Sequence, residues 1–86
     1  MNIHTTHHAA SRMQQRSISE LEVELLLRYG REKYQSDGVV VTYFDHRSFK
    51  RVERDVMRIS KSLGKLRQKY LVTKDSQVLI TAGHRT

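Results

Sequence analysis

The chain has 86 residues, with 16 Lys and Arg against 9 Asp and Glu and a formal net charge of +7. It contains no cysteine and no proline, so disulfides and thiolate zinc sites are excluded. A chain of this length buries only about 60–65% of the surface its unfolded form exposes, which favours an open face or shallow groove over an enclosed substrate cavity. The charge favours a polyanion, and nucleic acid is the commonest one.

The pattern predicts a first helix over 5–16, capped by Thr5 or Thr6. Its apolar stripe is thin, through Ala9, Ala10 and Met13. A second helix starts at Ser19 and Glu22, which have the spacing of a capping box, with Ile18 and Val23 placed as a hydrophobic staple. Leu21, Leu25, Leu26 and Tyr29 continue it, and Gly30 sits where a left-handed C-terminal residue is expected. Two strands follow, over 31–36 and 39–44, flanking Asp37-Gly38, a pair suited to a type I′ turn. The second strand is apolar on both faces, which places it in the middle of a sheet.

A third helix is expected over 48–63, with Asp45 or Ser48 as cap and Gly64 at its end. Phe49, Val52, Val56, Ile59 and Leu63 recur at spacings of three and four, one buried stripe. Lys50, Arg51, Arg54, Arg58 and Lys61 lie on its outer face. A second hairpin closes the chain, with arms over 70–73 and 78–82. The expected fold is α+β in the order ααββαββ, a single domain over 1–86 with an antiparallel sheet of about four strands packed against helices. No apolar run is long enough to span a bilayer, and no charged-then-apolar leader opens the chain, so a cytoplasmic location without membrane attachment is expected.

Three groups of residues bear on chemistry. His8, Arg12 and Arg16 are four apart and project from one helical face. An imidazole beside two guanidiniums suits a phosphodiester, because one exchanges a proton near neutral pH and the others fork onto phosphate oxygens. A row of solvated surface cations accounts for the same spacing. Gly83-His84-Arg85 adds a second histidine and guanidinium. His8 and His84 on one groove would supply acid and base for metal-free RNA cleavage, with Arg12 as a third catalytic group; a frayed polar tail is the plainer reading. Lys50, Arg54, Arg58 and Lys61, with Arg16 and Arg85, would contact a nucleic-acid backbone, or form an ordinary wet face with Glu53 and Asp55 as partners. His4 and His8 have helical ligand spacing but no third ligand nearby, so neither a metal nor any other cofactor is expected.

The run from His8 to Ser19, His-Ala-Ala-Ser-Arg-Met-Gln-Gln-Arg-Ser-Ile-Ser, resembles the opening of the domain-of-unknown-function family 4258. The closing Tyr70-Leu71-Val72-Thr73 and Val78–Arg85 are similar to that family's last hairpin. The resemblance implies a fold related to the RelE-like and barnase-like ribonuclease toxins, many of which cut RNA without metal and pair with an antitoxin. It implies a groove lined by His8, Arg12, Arg16, Thr81, His84 and Arg85. The long basic helix between the hairpins departs from the ordinary pattern. The leading expectation is therefore a metal-independent ribonuclease toxin or toxin-like domain, with RNA favoured over DNA as partner and an acidic antitoxin beside it. The alternatives are a non-catalytic nucleic-acid-binding module and a protein-interaction domain, including one that binds a second copy of itself.

Overall fold

The computed structural model describes residues 3–85. The order is ααββαββ as expected: α1 His7–Gln15, α2 Glu20–Tyr29, β1 Arg31–Tyr34, β2 Val40–Tyr43, α3 His46–Leu66, β3 Lys69–Lys74 and β4 Val78–His84. The four strands form two antiparallel two-stranded sheets, β1 with β2 and β3 with β4. Contacts divide the chain into two compact units, Met1–Glu53 and Arg54–Thr86, with α3 running through the boundary.

In the first unit, the Thr6 side chain caps α1 by accepting the Ala9 N–H at 3.1 Å. Its C-terminus closes as a Schellman motif, with Ile18 N donating to Met13 O at 2.9 Å and Ser17 in the left-handed region at φ 54°. That motif satisfies carbonyls the helix would otherwise leave free. Ala9 and Met13 are half-buried as the thin stripe requires, whereas Ala10 is exposed. Ser19 and Glu22 form the capping box of α2, at 2.8 and 3.1 Å. The box holds the Glu22 carboxyl below its ordinary range, chiefly through the Ser19 backbone N–H.

Gly30 departs from expectation. Its φ of −65° and ψ of 159° are extended, not left-handed. Glycine is required there by crowding: a Cβ would lie 2.5 Å from Leu26 O and 2.7 Å from Thr42 Cγ2. The absent side chain lets the end of α2 turn directly into β1.

The hairpin turn is of type I′, with Asp37 at φ 61°, ψ 35° and Gly38 at φ 75°. Val39 N donates to Ser36 O at 3.3 Å and Gln35 N to Val39 O at 2.8 Å. The second bond shifts pairing so that Tyr34 faces Val40. β2, expected inside a sheet, has one paired edge, and Val40, Val41 and Tyr43 are exposed. The core of this unit is small. Val52 is the one buried apolar residue among those described, with Phe44 edge-to-face on Phe49 at 6.4 Å and 76°.

α3 begins and ends beyond the expected limits. Asp45 caps it: its carboxylate accepts the Ser48 N–H at 2.9 Å and the Ser48 hydroxyl at 2.7 Å, while Ser48 Oγ accepts the Asp45 N–H at 3.0 Å. Ser48 is buried, and these bonds satisfy it. Gly64, expected to stop the helix, lies inside it, since one glycine costs a helix only about 1 kcal/mol.

The Asp45 carboxyl is held well below the usual carboxylate range, first by the Ser48 backbone N–H, then by the Ser48 hydroxyl and by Arg31 at 3.1 Å. A depressed folded pKa means the stabilisation is complete above the unfolded value near 3.9 and is lost as pH falls below it. Thermal melts followed by circular dichroism between pH 2 and 6 should show Tm falling below about pH 4. Asp45→Asn keeps a capping oxygen but carries no charge, so it should flatten that fall and lower Tm at pH 7. An unchanged acid limb in the variant would remove Asp45 as its source.

In the second unit, β3 and β4 join through Asp75 and Ser76, both left-handed at φ 53° and 55°, with Gln77 N donating to Lys74 O at 3.1 Å. The register runs from Lys69↔His84 to Lys74↔Val78, with an irregularity at Val72/Thr73. None of residues 54–85 is buried.

Candidate nucleic-acid interface

α3 carries the most ordered charge in the molecule. At 100° per residue, Arg47, Lys50, Arg51, Arg54, Arg58, Lys61 and Lys65 fall within about 100° of arc, and no other α3 residue falls there. All seven are exposed. Phe49, Val52, Val56, Ile59, Leu63 and Leu66 occupy a similar sector centred about 160° away. Arg47 and Lys65 lie outside the 48–63 span that the sequence predicts for this helix. Extending it by two residues at the start and three at the end adds one cation at each extreme.

From Arg47 to Lys65 the row rises about 27 Å. A nucleic-acid strand with a 3.4 Å rise presents on the order of eight phosphates over that length. Nearby acids do not quench the row. Lys50 reaches Glu53 at 3.4 Å and Arg54 reaches Asp55 at 3.9 Å, and exposed pairs of this kind contribute little. At the N-terminal end, Arg47 and Arg51 line an open hollow of about 310 Å³ with Tyr29, Gly30, Arg31, Asp45 and Ser48. Arg31 is committed there, because its Nη1 is bound to Asp45 at 3.1 Å and this raises its pKa.

His8 and Arg12 lie one turn apart on α1, both exposed. Arg16 follows the last helical residue with φ −104° and ψ 9° and continues their row approximately. His84 and Arg85 belong to the second unit. His84 ends β4 opposite Lys69 and lines an open hollow of about 500 Å³ with Leu66, Lys69, Tyr70, Leu71, Ala82 and Gly83. A Cβ on Gly83 would stand 2.8 Å from Tyr70 Oη, so the Tyr70 ring is laid over Gly83. Arg85 is anchored by its backbone N–H, which donates to Gln68 O at 2.6 Å.

The chain is thus small, basic and α+β, and its longest helix is cationic on one side and apolar on the other. It belongs to the family described as Domain of unknown function (DUF4258), whose model matches residues 5–84. No curated protein and no solved structure shows significant similarity to it. Among the described residues, no helix is long and apolar enough to cross a membrane.

Proposed function

We propose that this domain binds nucleic acid, with RNA as the preferred form, through the cationic row of α3. The observation that supports the reading is the segregation of seven exposed cations, and nothing else, into one sector of a single helix. Backbone phosphates are the partner such a row suits, because their spacing tolerates an unspecific line of guanidinium and ammonium groups. Fluorescence anisotropy with a labelled single-stranded RNA tests it. With four to seven contacts, affinity should fall about 50- to 900-fold between 50 and 200 mM salt. A flat salt dependence would reject the reading.

His8 and Arg12, one turn apart on an exposed helical face, favour a second reading in which bound RNA is also cleaved, as in a ribonuclease toxin of the cytoplasm neutralised by an acidic antitoxin. His8 would take the proton of a ribose 2′-hydroxyl as its oxygen attacks the adjacent phosphorus. The 5′-oxygen would leave with a proton from an acid, and Arg12 and Arg16 would hold the phosphoryl oxygens. The expected result is RNA cleavage in EDTA, reduced about 100-fold or more by His8→Ala. His84→Ala separately reports the role of the second unit's histidine. Undiminished cleavage by the double variant would remove both histidines from the chemistry, and no cleavage by wild type would leave binding alone.

A further inference from the structure

The hollow at the N-terminal end of the cationic row is built by two elements. The junction of α2 with β1 contributes Tyr29, Gly30 and Arg31, and the first turns of α3 contribute Arg47 and Arg51, with Asp45 just ahead of them. All of its lining residues belong to the first unit. Its volume of about 310 Å³ is at the lower end of small-ligand sites, with room for one phosphate and part of a nucleotide. Arg47 and Arg51 are four apart on α3, so they leave the helix about 40° apart, one turn above the other. Both are exposed.

Among the described residues that line the hollow, three are arginines and one, Asp45, carries a carboxylate. That carboxylate is already engaged. Asp45 Oδ1 accepts the Ser48 N–H and hydroxyl at 2.9 and 2.7 Å, and Oδ2 accepts from Arg31 Nη1 at 3.1 Å. The network cancels the charge of Arg31 and leaves those of Arg47 and Arg51. It also occupies the Ser48 N–H, so side chains rather than the end of the helix hold the uncompensated charge. A phosphodiester inside a strand carries one negative charge. A phosphomonoester carries about 1.5 to 2 at neutral pH and offers three acceptor oxygens, which two guanidinium forks match more fully.

We propose that this hollow seats the terminal phosphomonoester of a bound RNA strand, with Arg47 and Arg51 forked onto its oxygens; the proposal rests on the reading of α3 as an RNA-binding row. Position selects an end over the interior of a strand. The row stops at Arg47, and the junction of α2 with β1 stands across the hollow from it. A strand laid along the cations therefore meets that junction where the row stops, and the hollow receives its last phosphate. Arg31 acts here by holding the Asp45 charge rather than by contacting the ligand. The ligand class is thus RNA with a phosphorylated end, as distinct from the same RNA ending in hydroxyls.

The test uses the full chain and one single-stranded RNA of about 12 nucleotides with an internal fluorophore, in three forms: a 5′-phosphate, a 3′-phosphate, or hydroxyls at both ends. By anisotropy at 0.1 M salt, a phosphorylated form should bind about tenfold tighter than the hydroxyl form, and the two phosphorylated forms, equal in charge, show which end is seated. Arg47→Gln with Arg51→Gln, exposed positions in a helix that accepts Gln, should bring that ratio to about one. Arg58→Gln with Lys61→Gln should weaken all three forms alike and keep the ratio. Equal binding of the three forms by wild type, or a preference that survives Arg47→Gln with Arg51→Gln, overturns the proposal. Uridine 5′- and 3′-monophosphate, titrated into isotope-labelled protein, read the hollow without the row. Amide shifts confined to 29–31 and 45–51, absent with uridine and lost in the Arg47→Gln, Arg51→Gln variant, support the seat even where no RNA binds. No shift with either nucleotide at about 10 mM overturns it, even where RNA binding keeps its salt dependence.

Discussion

Arg54→Glu with Arg58→Glu is expected to weaken RNA binding about 25-fold at 0.1 M salt and to lower the slope of log affinity against log salt by about 1.4. The reasoning is counterion release: each cation on a single strand contributes roughly 0.7 to that slope, and two are lost. Each substitution changes the charge by two, so the net charge falls from +7 to +3. Both side chains are exposed on the cationic arc, so the apolar face of the helix is untouched and circular dichroism should not change. The control is Lys33→Glu with Lys74→Glu, which alters net charge equally at exposed strand residues outside the row. If the control weakens binding as much as the α3 variant, overall charge rather than the ordered row carries affinity. If only the α3 variant does, the helix is the interface.

The two sides of α3 assign different work to one element. Its cations need water and an anion, while its apolar sector needs cover, and the helix separates the two by roughly half a turn of arc.

How much of this could be read in sequence differs from element to element. The capping box of Ser19 and Glu22 and the left-handed pair Asp37-Gly38 depend on residues three apart or adjacent, and both appear as expected. α3 outruns its expected limits because Gly64 reads as a stop in sequence, whereas nothing crowds it and the helix passes through. At Gly30 the demand for glycine comes from crowding by Leu26 O within α2 and by Thr42 and Tyr43, twelve and thirteen residues away, and only the first of these is local in sequence. The central position expected of β2 rested on its apolar faces, and those faces are exposed here. An apolar run signals a need for cover, and it does not say which chain supplies it. His8 and Arg12 share a face because helical spacing alone guarantees it. What residues far apart in sequence do together, such as His8 and His84, spacing cannot decide.

Gly30→Val should be the most destabilising single substitution in the first unit, at about 2–3 kcal/mol or more. The new Cβ would stand 2.5 Å from Leu26 O, 2.7 Å from Thr42 Cγ2 and 3.2 Å from Tyr43 O. Two of these atoms are backbone and cannot rotate away. Leu26 O also accepts the Gly30 N–H at 2.8 Å, so relief would open the last turn of α2 or prise β2 from the helix it packs on. Backbone conformation adds nothing to the cost, because the glycine's extended φ and ψ suit valine well. The loss is therefore steric, and Gly30→Ala should show most of it. Gly64→Ala provides the contrast: with no atom near its Cβ position and helical backbone on both sides, it should stabilise α3 by about 0.5–1 kcal/mol. Urea denaturation of the three variants, followed at 222 nm, measures all of these effects. A Gly30→Ala protein as stable as wild type would show that the junction of α2 and β1 relaxes freely, and the close approach would then not be what fixes glycine there.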